Sequence, residues 1–196
     1  MAMIHHTTLA PTKLELLSTW LPGQPWYTGD GSELVRAGGF RLDDPAGAVG
    51  IEMMAVGAGP VTYHVPLTYR AEPLPADDGL IGTSEHGVLG TRWVYDAVHD
   101  PVFVEQMLAL IQDEAQPQAQ SVSHTPDRTV AAEFTGTDRI TAAACSVQDG
   151  SDGPVLHVVR VLQPGPAPEG IGHVTANWRL SDGATQRGCF AFVRGT

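Results

Sequence analysis

VTYHVPLTYR (residues 61–70) alternates without a break, with Val61, Tyr63, Val65, Leu67 and Tyr69 set against Thr62, His64, Pro66, Thr68 and Arg70. A period of two puts the first set on one face of a strand and the second on the other. Pro66 cannot donate to a ladder, so the strand is expected at a sheet edge or at a bulge. Working outward, Leu34 to Arg41, Val49 to Val56 and TRWVYDA (residues 91–97) also read as strands. The glycine-punctuated stretch from Gly79 to Gly90 reads as a loop. Thr12 to Leu21 places Leu14, Leu17, Trp20 and Leu21 at helical spacing, and Pro22-Gly23 stops it. Asp100-Pro101 has the form of an N-cap followed by a first-turn proline, with Phe103, Met107, Leu110 and Ile111 as the buried stripe.

Beyond this helix the composition shifts. QDEAQPQAQSVS (residues 112–123) is polar and weak in helix formers, which reads as a linker. Strands are then expected over Thr129 to Thr135, Arg139 to Val147, Val155 to Leu162, His173 to Leu180 and Gln186 to Arg194. In the fourth, Val174, Ala176, Trp178 and Leu180 alternate with His173, Thr175, Asn177 and Arg179, and SDGATQ turns it into the last strand. The fold class is α+β, with curved, mainly antiparallel sheets and a few flanking helices. The chain divides into residues 1–111, a linker over 112–124 and a β region over 125–196.

Bulk charge narrows the function. The 196 residues carry 22 acids against 11 bases, a net charge of −11, and Lys13 is the only lysine. Such a surface repels phosphate backbones and anionic bilayers, and there is no basic run to offset it; neither nucleic acid nor membrane is an expected partner. The start, MAMIHHTTLAPTK, lacks the basic end and apolar centre of a signal peptide, and no apolar run approaches spanning length. A cytoplasmic location follows, with Cys145 and Cys189 expected as buried thiols.

Catalytic motifs are missing. There is no G-x-x-x-x-G-K-[ST], no G-x-S-x-G and no H-E-x-x-H. Gly79, Gly82, Gly87 and Gly90 could form a phosphate cradle but precede no helix. His5-His6 is a weak metal signal. His157 and His173 could meet across neighbouring strands, yet no Cys or carboxylate stands at ligand spacing beside them. Asp43-Asp44 and Asp77-Asp78 sit in Pro/Gly-rich turns. No catalytic residue, metal or cofactor is expected, and the residues alone leave an α+β domain without a role.

Two regions carry a resemblance. LLSTWLPGQPWYTGDG (residues 16–31) resembles the opening of the maltokinase N-terminal cap, whose pattern is W-L-P-x-Q-R-W-F-x-G-K. Trp20, Leu21, Pro22, Gln24, Trp26 and Gly29 match, whereas Pro25 replaces the arginine and Asp30 the lysine. YHVPLTYR (63–70) and YDAVHDP (95–101) are similar to the cap's Y-x-x-P-L and Y-D-A-x-x-D segments. In the second region, LHVVRVLQPGPAP (156–168) is similar to the kinase strand L-K-x-F-R-x-L-x-P-G-P-N-P, which carries the ATP-holding lysine. Leu156, Arg160, Leu162, Pro164, Gly165, Pro166 and Pro168 are kept, and His157 stands at the lysine position. TAAACSV (141–147) has alanines where the family's nucleotide-facing hairpin has serine and asparagine. No helix with a glutamate partner follows, and the chain stops after strands similar to those leading to the kinase hinge.

The resemblance implies a stand-alone N-terminal lobe without its catalytic lobe. Residues 1–111 would be the cap with its following strand and helix, and residues 125–196 a degenerate intermediate, kinase N-lobe-like region. Phosphoryl transfer relies on a phosphate-holding lysine, metal-holding carboxylates and a base. A neutral histidine at 157 is a poor substitute. The implied function is a non-catalytic binding or regulatory protein in α-glucan and trehalose metabolism. Its partner would be a maltokinase, a trehalose synthase or another α-glucan enzyme, with homodimerisation as a variant. The alternative is a nucleotide- or sugar-binding protein whose cleft is lined by His64, His157, His173, Asn177 and Arg179, or a lobe completed by another chain.

Overall fold

A computed structural model describes residues 9–76, 78–122, 125–145 and 153–195. His5-His6, Asp77 and the Ser146-Val147 end of TAAACSV lie outside the described residues. The first helix, α1 (Lys13–Trp20), starts on a capping box: Thr12 Oγ1 accepts from the Glu15 amide and the Glu15 carboxylate accepts from the Thr12 amide. It runs into one 3-10 turn, Leu21–Gly23, with Pro22 inside it. The second, α2 (Pro101–Ile111), is capped by Asp100, which accepts from the Val102 amide at 3.0 Å, and buries Phe103, Met107, Leu110 and Ile111 as the spacing requires. No helix among the described residues is long and apolar enough to cross a membrane.

The strands are β1 (Leu9–Ala10), β2 (Leu34–Asp43), β3 (Gly50–Ala58), β4 (Val61–Arg70), β5 (Leu80–His86), β6 (Gly90–Asp96), β7 (Gln118–Ala119), β8 (Ala131–Phe134), β9 (Ala144–Cys145), β10 (Val155–Val158), β11 (Gly172–Arg179) and β12 (Thr185–Arg194). They join in the order β1-β5-β6-β4-β3-β2-β11-β12-β10-β9, with β7 on β2 and β8 on β11. All pairings are antiparallel except β9 with β10. The α+β class holds.

Between β2 and β11 the sheet is joined by a single pair, Trp178 opposite Gly38, next to a bulge in β2. Gly39 permits that bend: its φ is +124°, and a Cβ there would lie 1.8 Å from the Met53 carbonyl oxygen. Two cores result. Leu17, Leu21, Met54, Val56, Tyr63 and Val65 pack under α1 on one side. Phe40, Ile51, Met53, Phe103, Leu156 and Phe190 pack beneath α2 on the other. Since β3 feeds both cores, its run IEMMAV is buried on both faces.

Three expectations change. Strand β4 is interior, not an edge: β3 pairs along its length, β6 covers Leu67–Arg70, and Tyr63 bridges to Val161. The His64 amide donates to Arg160 on the side away from β3, and Pro66, two residues on, faces the same side between these two neighbours. The proline therefore sits at a local gap in the ladder. Gly79–Gly90 is not a loop, because it holds β5 and the turn into β6. That strand buries only Ser84, so it lacks the apolar alternation by which strands are read. Over the described part of 139–147, residues 139–145, only Ala144–Cys145 is strand. Upstream the Gln112 side chain takes the ladder's place, accepting from the Ile140 amide at 2.7 Å and donating to its carbonyl at 3.0 Å.

Residues 112–122 run against β2. Gln118–Ala119 pairs with it, Arg36 and Arg41 bond to residues 119–122, and Gln120 donates to the buried Glu52. Cys145 and Cys189 are buried and not disulfide-linked.

Candidate functional site

Strand alternation puts His173, Thr175, Asn177 and Arg179 on the outward face of β11, opposite its core residues Val174, Ala176 and Trp178. Across the ladders, His157 of β10 stands opposite Phe192 of β12, Phe192 opposite His173, and His173 opposite Glu133 of β8. The two histidines do not meet, because they flank Phe192 on either side. The His157 ring stacks on Phe192 at 4.7 Å between centroids and 12° between planes, and the Arg194 guanidinium lies 5.4 Å over the same ring. Partial burial, with Arg194 adding to it, pushes the His157 pKa down, so the ring is neutral near pH 7.

A carboxylate does accompany His173: Glu133 Oε2 is 3.7 Å from its Nε2. Arg187 gathers the rest of the face, donating to Thr175 Oγ1 at 2.8 Å, to Asn177 Oδ1 at 3.2 Å and to the Thr129 carbonyl. The spacing of β11 identified His173, Asn177 and Arg179, whereas Arg187 was missed because the β12 sequence TQRGCFAFVR does not alternate cleanly. A bulge opposite Val174/Thr175 is the reason. The result is a face bearing Arg179, Arg187 and Arg194 on a chain of net charge −11.

His64 is not on this face, which corrects its place among the cleft residues. It is fully buried against Phe190 at 4.7 Å between ring centroids, and its Nδ1–H donates to the Val159 carbonyl at 3.2 Å. Burial, reinforced by Arg160, lowers its pKa to about 3. The side of β4 that reads as polar is covered by the second core, and the ring is a packing element there. Burial likewise raises the Cys189 thiol to about 11.

The motif residues converge elsewhere. Trp26 packs between Trp20 and Tyr63, each at 5.9 Å between centroids, and Arg160 lies over the Trp26 ring at 5.0 Å. Arg160 Nη2 donates to Asp96 Oδ2 at 2.6 Å with both side chains nearly buried (13% and 5% exposed). Next to it, Arg70 forms a two-pronged pair with the N-cap Asp100, at 2.7 Å for each contact. The residues of WLPGQPW, YHVPL, YDAVHD and VVRVL thus act as packing and ion-pair anchors that tie residues 159–162 to β4 and β6. Residues 159–171 run on to β11 without a helix. Among the described residues no group of His, Cys, Asp and Glu is placed to hold a metal.

Residues 20–100 match the family model of the maltokinase N-terminal cap domain, which is what this stretch of the chain is similar to. No curated protein matches the chain.

Proposed function

We propose that this protein is a non-catalytic binding or regulatory partner of a maltokinase, a trehalose synthase or another α-glucan enzyme in the cytoplasm, built from a cap and a degenerate kinase-like β region. The observation that carries this reading is the state of His157. At the position where a kinase strand would present a lysine to phosphate, the ring is neutral and stacked on Phe192. An aromatic pair flanked by Arg179, Arg187 and Arg194 suits an acidic protein surface better than phosphoryl transfer, which needs a charged group aimed at phosphate. The one lysine is engaged elsewhere, in an ion pair with Glu52.

Co-elution and surface plasmon resonance with purified maltokinase and trehalose synthase test the reading. A micromolar or tighter complex, weakened at least ten-fold by the double change Arg179→Glu and Arg187→Glu, is expected. No complex with either enzyme counts against it. Calorimetric titration with Mg-ATP and with maltose addresses the small-molecule alternative; no heat is expected, for the protein or for His157→Lys. Saturable heat with either ligand would favour a cleft around His173, Asn177 and Arg179 instead.

A further inference from the structure

Helix α2 is apolar on two sides. Phe103, Met107, Leu108, Leu110 and Ile111 belong to the core, and Leu108 also shares a second stripe with Pro101, Val104 and Ala109. That stripe forms one wall of an open groove of about 890 Å³, whose other walls include residues 74–76, 140–143 and 145. Leu74, Ile140, Ala142 and Ala143 face it from there. Along the helix the groove runs from Pro101 to Gln112, about 17 Å or three helical turns. The rim is acidic. Asp78, Glu105 and Glu114 line it, His99 lies beside them, and its one arginine, Arg139, donates through Nε and Nη2 to the two Glu114 oxygens at 2.6 Å each.

We propose that this groove docks a partner segment that is apolar along one side and flanked by lysine or arginine. It deepens the binding-protein reading above and rests on it. An elongated apolar floor beside a helix is the shape that receives a second helix or an amphipathic peptide. A small ligand would need convergent polar groups, and of the two amides in the lining, Gln106 and Gln112, the second is already committed to Ile140. Asp78 and Glu105 are exposed at the rim, where they select for cationic flanks.

The test uses the whole protein and two labelled peptides of leucine and lysine with equal length and charge. One has leucine at i, i+3, i+4 and i+7, and the other is scrambled. Fluorescence anisotropy is expected to show the first binding at least ten-fold tighter than the second, and a glutamate-leucine counterpart not binding. Ala109→Arg, which fills the groove, and Glu105→Lys, which reverses the rim, are each expected to weaken binding at least five-fold. Glu33→Lys, the same charge reversal at an exposed residue outside the groove, leaves it unchanged. Glu105 is exposed, so its variant keeps the test open if Ala109→Arg unfolds. Equal binding of the two lysine peptides, or binding indifferent to both groove variants, overturns the proposal. So does a dimer in sedimentation velocity that Ala109→Arg abolishes, since the occupant would then be a second copy. The peptide readout is independent of whether maltokinase or trehalose synthase co-elutes, so failure of the groove and failure of the partner reading are told apart.

Discussion

At the scale of single residues, Glu52 is a buried acid held by three side-chain donors. It is 4% exposed and takes hydrogen bonds from Lys13, Tyr69 and Gln120. Burial by itself would raise its pKa, but Lys13 and the two neutral donors outweigh it and hold the carboxyl below its usual 4.5. Lys13→Ala is expected to cost about 2–3 kcal/mol in urea denaturation. That is less than for a fully buried pair, because Lys13 is 32% exposed. His64 acts in the opposite chemical sense with the same sign. Its folded pKa of about 3 lies below its unfolded value near 6.5, so the unfolded chain binds the extra proton. Its contribution is full above 6.5 and falls as pH drops from there toward 3, at up to about 1.4 kcal/mol per pH unit. His157, also lowered, adds to this loss, so a His64→Asn variant is the control. Denaturation between pH 7 and 5 is expected to show a shallower slope in that variant.

At the scale of elements, Asp100 does two jobs for α2. It caps the helix through the Val102 amide and anchors it to β4 through Arg70, with its own side chain fully buried. Loss of an N-cap costs about 1 kcal/mol. Removing one member of a buried pair costs about 3–5 kcal/mol. Asp100→Ala is therefore expected to destabilise by roughly 3–5 kcal/mol, measured by chemical denaturation. Asp100→Asn keeps the cap and should recover part of that. Both helices were legible, α1 from the spacing of Leu14, Leu17, Trp20 and Leu21 and α2 from its Asp100-Pro101 cap, because period and cap are local arrangements. Strand β5 was not, because its ladder partners supply what its own side-chain pattern lacks.

Over the whole molecule, the Asp96–Arg160 pair joins β6 to the segment after β10. Asp96 Oδ1 and Arg160 Nη1 have no hydrogen-bond partner, which makes the pair costly to half-remove. Arg160→Met should strand a buried carboxylate and lower stability by about 3–5 kcal/mol. The double variant Arg160→Met with Asp96→Leu should recover most of it, as apolar replacements of buried pairs do. Differential scanning calorimetry of the parent is expected to give a single transition, since β2, β4 and β6 all carry bonds to residues beyond 155. Two transitions in Arg160→Met would identify this pair as the coupling between the halves.

Local chemistry alone determined much of this protein: the strand at 61–70, the two capped helices, the terminal hairpin and the outward set His173, Asn177 and Arg179. Each follows from a side-chain period or a cap that neighbouring residues supply. Tertiary structure decided the rest. Whether the polar side of β4 meets water or a second core depends on which sheet folds over it, and that buried His64. Whether His157 faces a ligand or a ring depends on the register of β12, which set Phe192 against it. Arg160, read as part of a nucleotide-strand motif, became the tie to Asp96 because residues 64 positions apart were brought within 2.6 Å. Period and capping are properties of a segment; burial, register and charge pairing belong to the neighbours that only folding provides.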